Sequence, residues 1–328
     1  LHIYGENLYV DGFTTANDMR TQVGSDSIGF PFFNVVVRNG DHSGTLTAGT
    51  TGGGITVTSN SADGGSNCVV WNNKLRDFGL VDENLGDRDH NGMNCGGTTN
   101  NLWFLDNDIR NVSGSAIQVG AGNTDCHHIY IGRNYSDNAA QAGMNNKYGQ
   151  HVIFSQNIIK NVKACSWTPS KGFGVQYNPH STWFLYNTIT NCASGIRLAG
   201  ANTSATPIEI YAIGNTLDNM YFDTEWVKWG ATLMVGKGNY EFHAHNNLSF
   251  NTPKFMQVEG SNTQLYVRNN IIGFINPDKT PAQYEANMFH SLGGAFDSSP
   301  DIKNNYISSD IVDCRFNGEF PPSGTKTP

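Results

Sequence analysis

An asparagine or aspartate closes a short apolar run eleven times along the chain, at Asp11, Asn39, Asn73, Asn107, Asn134, Asn157, Asn187, Asn215, Asn247, Asn270 and Asn305. The intervals between them run from 23 to 35 residues. One unit reads His-Val-Ile-Phe-Ser-Gln-Asn-Ile-Ile-Lys-Asn at 151–161, and it is echoed by Ser-Thr-Trp-Phe-Leu-Tyr-Asn-Thr-Ile-Thr-Asn at 181–191. Repeats of this length signal a solenoid. Apolar residues alternate within each unit, which is the period of a strand, and helical spacing is absent. The pattern predicts an all-β fold, a right-handed parallel β-helix of about 10–11 coils. The repeat runs through nearly the whole chain, so residues 1–328 read as one domain, with 274–328 as a less regular last coil and cap.

Composition narrows the partners. Charged residues are 15% of the chain, against roughly 25% in an average domain. The 37 glycines suit tight corners between strands. Net charge is −8 and no basic cluster occurs, so no nucleic-acid partner is expected. No apolar stretch approaches the roughly 20 residues of a membrane span. Residue 1 is Leu, inside an apparent strand, so the chain reads as a mature or trimmed form of a secreted or cell-surface protein. The six cysteines contain no CxxC pair, which disfavours a zinc knuckle. They either bridge neighbouring coils or fill the core as buried thiols. Oligomeric state is not legible.

Aligned on the repeated asparagine, the residues three before it are Val70, Phe104, Ile131, Phe154, Phe184, Ala212, Ala244 and Val267, and these should point inward. One residue earlier lie Trp103, Tyr130, Ile153, Trp183, Tyr211, His243 and Tyr266, which should form an outward aromatic column. The asparagine itself should cap a turn, with its amides stacked in a ladder.

A second strand in each coil follows a small residue. Met93, Ile117, Met144, Val175, Ile196 and Leu233 form its expected inward row. Asn94, Gln118, Asn145, Gln176 and Arg197 form the outward row, with Lys147 and Asn178 two residues further on. Coils about 4.8 Å apart make this a polar patch roughly 20 Å long. Amides donate to and accept from sugar hydroxyls. Arg197 can clamp a carboxylate through its planar fork, and Lys147 can act as a base. The reaction that suits such a row is β-elimination in a uronate polymer, with a cation stabilising the enolate.

The coil repeats, with Lys147 and Arg197 in one outward patch, resemble the pectate-lyase-like superfamily of right-handed β-helices. Pectate, alginate and chondroitin lyases belong to it. The resemblance implies a polysaccharide lyase acting on an acidic polysaccharide, with a Lys base, an Arg partner and often calcium. In the alginate and chondroitin type the two cations come from successive coils, whereas here one coil intervenes. The polygalacturonase motifs are absent.

Asp87, Asp89 and Asn91, followed by Gly92, have the spacing of a calcium loop. Thr98 stands where an EF-hand needs Glu, so the expectation is a looser Ca2+ site with Asp82 or Glu83. His90 is a candidate acid or base at the groove end. The remaining histidines share no ligand spacing. Two rival readings use other residues. A glycoside hydrolase would pair carboxylates among Asp87, Asp89 and Asp106. A non-catalytic carbohydrate-binding protein or adhesin would use the aromatic column.

Overall fold

An asparagine buried at a corner must satisfy two amide donors and a carbonyl acceptor away from water. Here it does so by bonding to its own copies. The backbone N–H and the Nδ2 of Asn187 both donate to Oδ1 of Asn215, at 2.9 Å each, and Nδ2 also donates to the Phe154 carbonyl at 3.0 Å. The same exchange links Asn73, Asn107, Asn134, Asn157, Asn187, Asn215, Asn247, Asn270 and Asn305. All nine are at most 1% exposed. The residue before each asparagine adopts a left-handed conformation, among them Asn72, Asp106, Arg133, Gln156 and Tyr186. Bulky side chains rarely do so, at a cost of about 1–2 kcal/mol.

The computed structural model describes residues 1–17, 19–25, 31–46, 53–60, 64–82, 89–121, 125–166, 168–199, 206–221, 230–259, 263–273, 287–291 and 300–307. Among the described residues three parallel sheets of 11, 12 and 11 strands stack, each strand bonded to its counterpart one coil away. One coil illustrates the path: Met93–Gly97 lies in the first sheet, Thr99–Leu105 in the second and Asp108–Val112 in the third. The protein is thus a right-handed parallel β-helix, as the repeat predicts. Among the described residues no helix is long and apolar enough to cross a membrane.

The expected inward column of the second sheet is buried throughout, from Val70 to Val267. Phe154, Phe173 and Phe184 pack ring to ring at 4.7–5.3 Å. Cys68, Cys95, Cys126, Cys165 and Cys192 are buried thiols that help fill the core. At the N-terminal end the repeat is out of register with the ladder. Asn39 is level with Asn72, not Asn73, and Gly40 occupies the ladder position, its N–H donating to Asn73 Oδ1 at 2.9 Å. Asp11 lies beside Arg38 and accepts from Asn39 on the outside. The last strands, Asp301–Lys303 and Tyr306–Ile307, extend the second and third sheets. Most of the expected cap at 274–328 lies outside the described residues.

The ladder yields a stability prediction. Asn187→Ala strands the donors of Asn157 and removes those to Asn215 and Phe154, so it should cost about 3–5 kcal/mol. Asn72→Gly removes an exposed amide at a left-handed residue and should cost under ~0.5 kcal/mol. Urea unfolding midpoints of the two variants provide the comparison.

Candidate functional site on the first sheet

The outer face of the first sheet carries the polar row, but in a corrected register. Parallel pairing sets Met144 against Phe173 and Asn145 against Gly174, then Phe173 against Ile196 and Gly174 against Arg197. Phe173, not Val175, therefore takes the inward place in line with Met144. The row reads Asn94, Gln118, Asn145, Gly174, Arg197, Met234 and Gln257. Lys-Gly-Phe-Gly-Val-Gln offers two glycines at which to start the strand. Gly172 is the true counterpart of Gly143 and Gly195, each of whose Cα hydrogens faces the backbone carbonyl of the next coil. Burying Phe173 against Phe154 and Phe184 settles the choice, because a slip would carry the large ring off the core face.

Gln176 still meets the row. It accepts a hydrogen bond from Asn145 Nδ2 at 2.9 Å. Asn178 is exposed beyond the end of its strand and is not in the row. Asn145 and Gln118 face outward by register yet are 0% and 5% exposed, so they form a floor. Asn94, Lys147, Gln176 and Arg197 keep partial exposure and form the accessible rim. Asn145 lies with its Oδ1 over Gly174, which has no side chain to displace it.

Lys147 follows directly on the strand Ala142–Asn146. Its N–H donates to the Val119 carbonyl at 2.9 Å, and the Asn146 amide clasps Gly149 immediately beyond it. Its Nζ lies 4.0 Å from Asp89 Oδ1, with the side chains 17% and 59% exposed. Asp89 precedes its strand and Lys147 follows one, so this pair spans the outer face. Tyr148 and Tyr177 stack beside it at 4.9 Å with ring planes 9° apart, and Tyr177 is 44% exposed. Arg197 lies two strands along the sheet from the strand leading into Lys147. Burial pushes its guanidinium down to about 10, while the Glu259 carboxylate pulls the other way.

Other expected residues sit elsewhere. His90 is 3% exposed, with Nδ1 packed against Gly79 at the corner, so it presents no acid or base to the groove. Asn91 is 5% exposed and its Oδ1 accepts the Ser115 N–H at 2.9 Å. With Asn91 so committed and Asp89 facing Lys147, the described part of this segment does not fit a calcium loop. Asp87 lies outside the described residues. Among the described residues no three His, Cys, Asp or Glu side chains are placed to hold a metal. Asp106 belongs to the second-to-third corner, where Arg133 grips it at 2.8 Å and Trp71 Nε1 donates to it, so it is no partner for Asp89. The aromatic column is outward as expected. However, Trp183, Tyr211, His243 and Tyr266 stack on one another at 4.4–5.7 Å with planes 6–13° apart. Their faces are spent on each other and only edges meet solvent, which leaves a poor platform for a sugar ring.

Two lysines on this face escaped the strand pattern because they stand at strand starts. Lys171 is 1% exposed, and its Cε lies over Gly174, where a Cβ would come within 2.7 Å. Lys254 is 1% exposed and donates to Gln257 Oε1 at 3.2 Å.

No protein-family model and no curated protein sequence matches the chain. Among solved structures it is similar to the tailspike protein of Pseudomonas phage LKA1, at 10% identity and TM-score 0.46 over 87% of this chain and 51% of that one. It is also similar to the catalytic unit of an α-1,3-glucanase from Streptomyces thermodiastaticus, at 13% identity and TM-score 0.33 over 92% of this chain and 62% of that one. A third is the A-module of a mannuronan C-5 epimerase from Azotobacter vinelandii, at 10% identity and TM-score 0.37 over 99% and 90%. The chain spans about half the length of the tailspike. Likeness at this level carries nothing about activity.

Burial pushes Lys254 down to about 8, from an ordinary 10.5. Between those values the unfolded chain binds a proton that the folded chain does not, so this lysine makes stability rise with pH across that window. Lys254→Met should be more stable than the wild type at pH 7, and its advantage should shrink by pH 9.5. Urea midpoints at the two pH values test this, and a constant difference would contradict it.

Proposed function

We propose that the chain is a polysaccharide lyase that cleaves an acidic, uronate-containing glycan by β-elimination in the groove of the first sheet, outside the cell or at its surface. The observation that carries this reading is Lys147, a half-buried amine at the groove rim, whose N–H bonds to the Val119 carbonyl and whose side chain faces Asp89. In the reaction the neutral amine of Lys147 takes the proton α to the sugar carboxylate. The electron pair forms a carbon–carbon double bond as the glycosidic carbon–oxygen bond breaks. The leaving oxygen takes a proton from solvent water, and Asp89 balances the ammonium on Lys147 until it returns its proton to solvent. Arg197 clamps the carboxylate and stabilises the enolate charge. Asn94 and Gln176 hydrogen-bond hydroxyls, and the Tyr148–Tyr177 pair offers an exposed ring beside the base.

Of the carboxylates that the hydrolase reading would use, Asp106 lies at another corner in the grip of Arg133, Asp89 faces Lys147 and Asp87 lies outside the described residues. Inverting pairs need about 6.5–9.5 Å and retaining pairs about 5–5.5 Å.

The test is a panel of uronate polymers assayed for the ultraviolet absorbance of an unsaturated product. Lys147→Ala should lower kcat by about 10²–10⁴ while leaving glycan binding within a few-fold. Arg197→Ala should raise KM and lower kcat together, because a clamp acts in ground and transition states. Both should keep the wild-type circular dichroism spectrum. A folded Lys147→Ala with full turnover sinks the mechanism, and reducing ends without ultraviolet absorbance would point to hydrolysis.

A further inference from the structure

The inward face of the first sheet breaks its own rule at one place, directly before Lys147. Register sets Val57, Cys95, Val119, Asn146, Val175 and Leu198 in one buried column. From Val23 to Val258 its other members are apolar. An amide in such a column is costly unless every polar atom is bonded. Asn146 meets that demand. Its Oδ1 accepts the Gly149 N–H at 2.8 Å, and its Nδ2 donates to the Gly149 carbonyl at 3.1 Å and to Thr182 Oγ1 at 2.9 Å. Thr182 is a matching exception in the second sheet. It is buried level with Val152 and Ile210, and its hydroxyl donates to the His180 carbonyl at 3.2 Å. The two polar side chains join one coil to the next through the core.

The chain does not need an amide to turn here. Neighbouring coils enter the same corner from Cys95, Val119, Val175 and Leu198. What sets this corner apart is its content, for Lys147, Tyr148 and Gly149 form the whole connection between Ala142–Asn146 and Gln150–Ser155. The Lys147 N–H bond to the Val119 carbonyl, at 2.9 Å, fixes the near end, and Asn146 holds both polar groups of Gly149 at the far end. Gly120 of the preceding coil lies close beneath. A Cβ there would stand 2.6 Å from the Tyr148 nitrogen and 2.8 Å from that of Gly149. The side chain of Lys147 therefore departs from a backbone held at both ends and from below. A local rule broken in the coil that carries the candidate base is the kind of departure expected at a functional site.

We propose that Asn146, with Thr182 behind it, is a positioning residue that fixes the Lys147 amine at the groove rim, where it takes the substrate proton. The proposal rests on the reading of Lys147 as the base. Its physical basis is orientation: a displacement of about 1 Å at a reacting group costs on the order of 10²-fold in rate.

Two readouts test it. The first needs no substrate: acetylation of lysine amines by an N-hydroxysuccinimide ester, followed by peptide mass spectrometry, with exposed Lys237 as the internal reference. The second is kcat and KM on a uronate polymer that the wild type cleaves. Asn146→Val restores the apolar column. It should label Lys147 several-fold faster relative to Lys237, and it should lower kcat by about 10–100-fold with KM unchanged. Thr182→Val is nearly isosteric and lies in the core. It should move both readouts the same way by less, and Thr182→Ser, which keeps the hydroxyl, should return both to wild-type values. Thermal melts show which variants are folded, and if Asn146→Val is not, the Thr182 pair decides alone. Unchanged Lys147 labelling in the folded variants overturns the proposal and leaves the lyase reading standing. Faster labelling with unchanged kcat also overturns it, as do equal losses in Thr182→Val and Thr182→Ser, which would mark packing in place of hydrogen bonding. Faster labelling of Lys147, with no product from the wild type on any uronate polymer, removes the lyase reading and leaves the positioning of the amine standing.

Discussion

The amide ladder from Asn73 to Asn305 is the interaction on which the rest of the molecule depends. Each side chain exchanges bonds with its copy one coil away, so the corner cannot shift in one coil without stranding donors in two. The chain accepts left-handed Arg133, Gln156 and Tyr186 at the preceding residue to keep the ladder continuous. One net hydrogen bond is worth only about 0.5–1.5 kcal/mol, but a buried amide left unpaired costs more. That asymmetry makes the ladder a specifier of register more than a source of stability.

A fixed corner has consequences along the coil. The second-to-third turn never varies in length, so sequence variation is pushed to the other two corners. The first sheet lies between those variable corners, and it gathers the chemistry. Lys147 leaves its strand at the first-to-second corner, and Asp89 approaches its own from the third-to-first corner. The rigid stack thus holds two groups, far apart in the coil path, within 4.0 Å. The outer face also departs from a simple solvated surface. Gln118, Asn145, Lys171, Lys254 and Gln257 face outward and are nearly free of solvent contact. Polar groups packed this closely polarise one another and resist rearrangement, as suits a binding floor.

The two outward faces invite different uses. On the second sheet the aromatic residues stack into a continuous column, which satisfies the rings among themselves. On the first sheet glycine interrupts the row at position 174, and a lysine from the strand start lies over the gap. The same pairing rule serves both: residues in register interact strongly, so a column of like rings closes on itself and a row of unlike polar groups stays open to a ligand.

The repeat alone determined the architecture, the number of coils, the inward column of the second sheet and the existence of an amide ladder, because period and alternation are written locally. The outward row of Asn94, Gln118, Asn145 and Arg197 was also legible, since each follows an apolar strand residue at the right parity. The register of the 171–176 strand was not, because two glycines fit the local pattern and only the packing of Phe173 against its neighbours separates them. The true neighbours of Asp89, the burial of His90 and the commitment of Asn91 and Asp106 to backbone and arginine partners are contacts across coils, which no local pattern encodes. Lys171 and Lys254 look like ordinary strand-end lysines in the sequence. Only the stacked coils, by leaving space over Gly174 and beside Gln257, bury them against the first sheet.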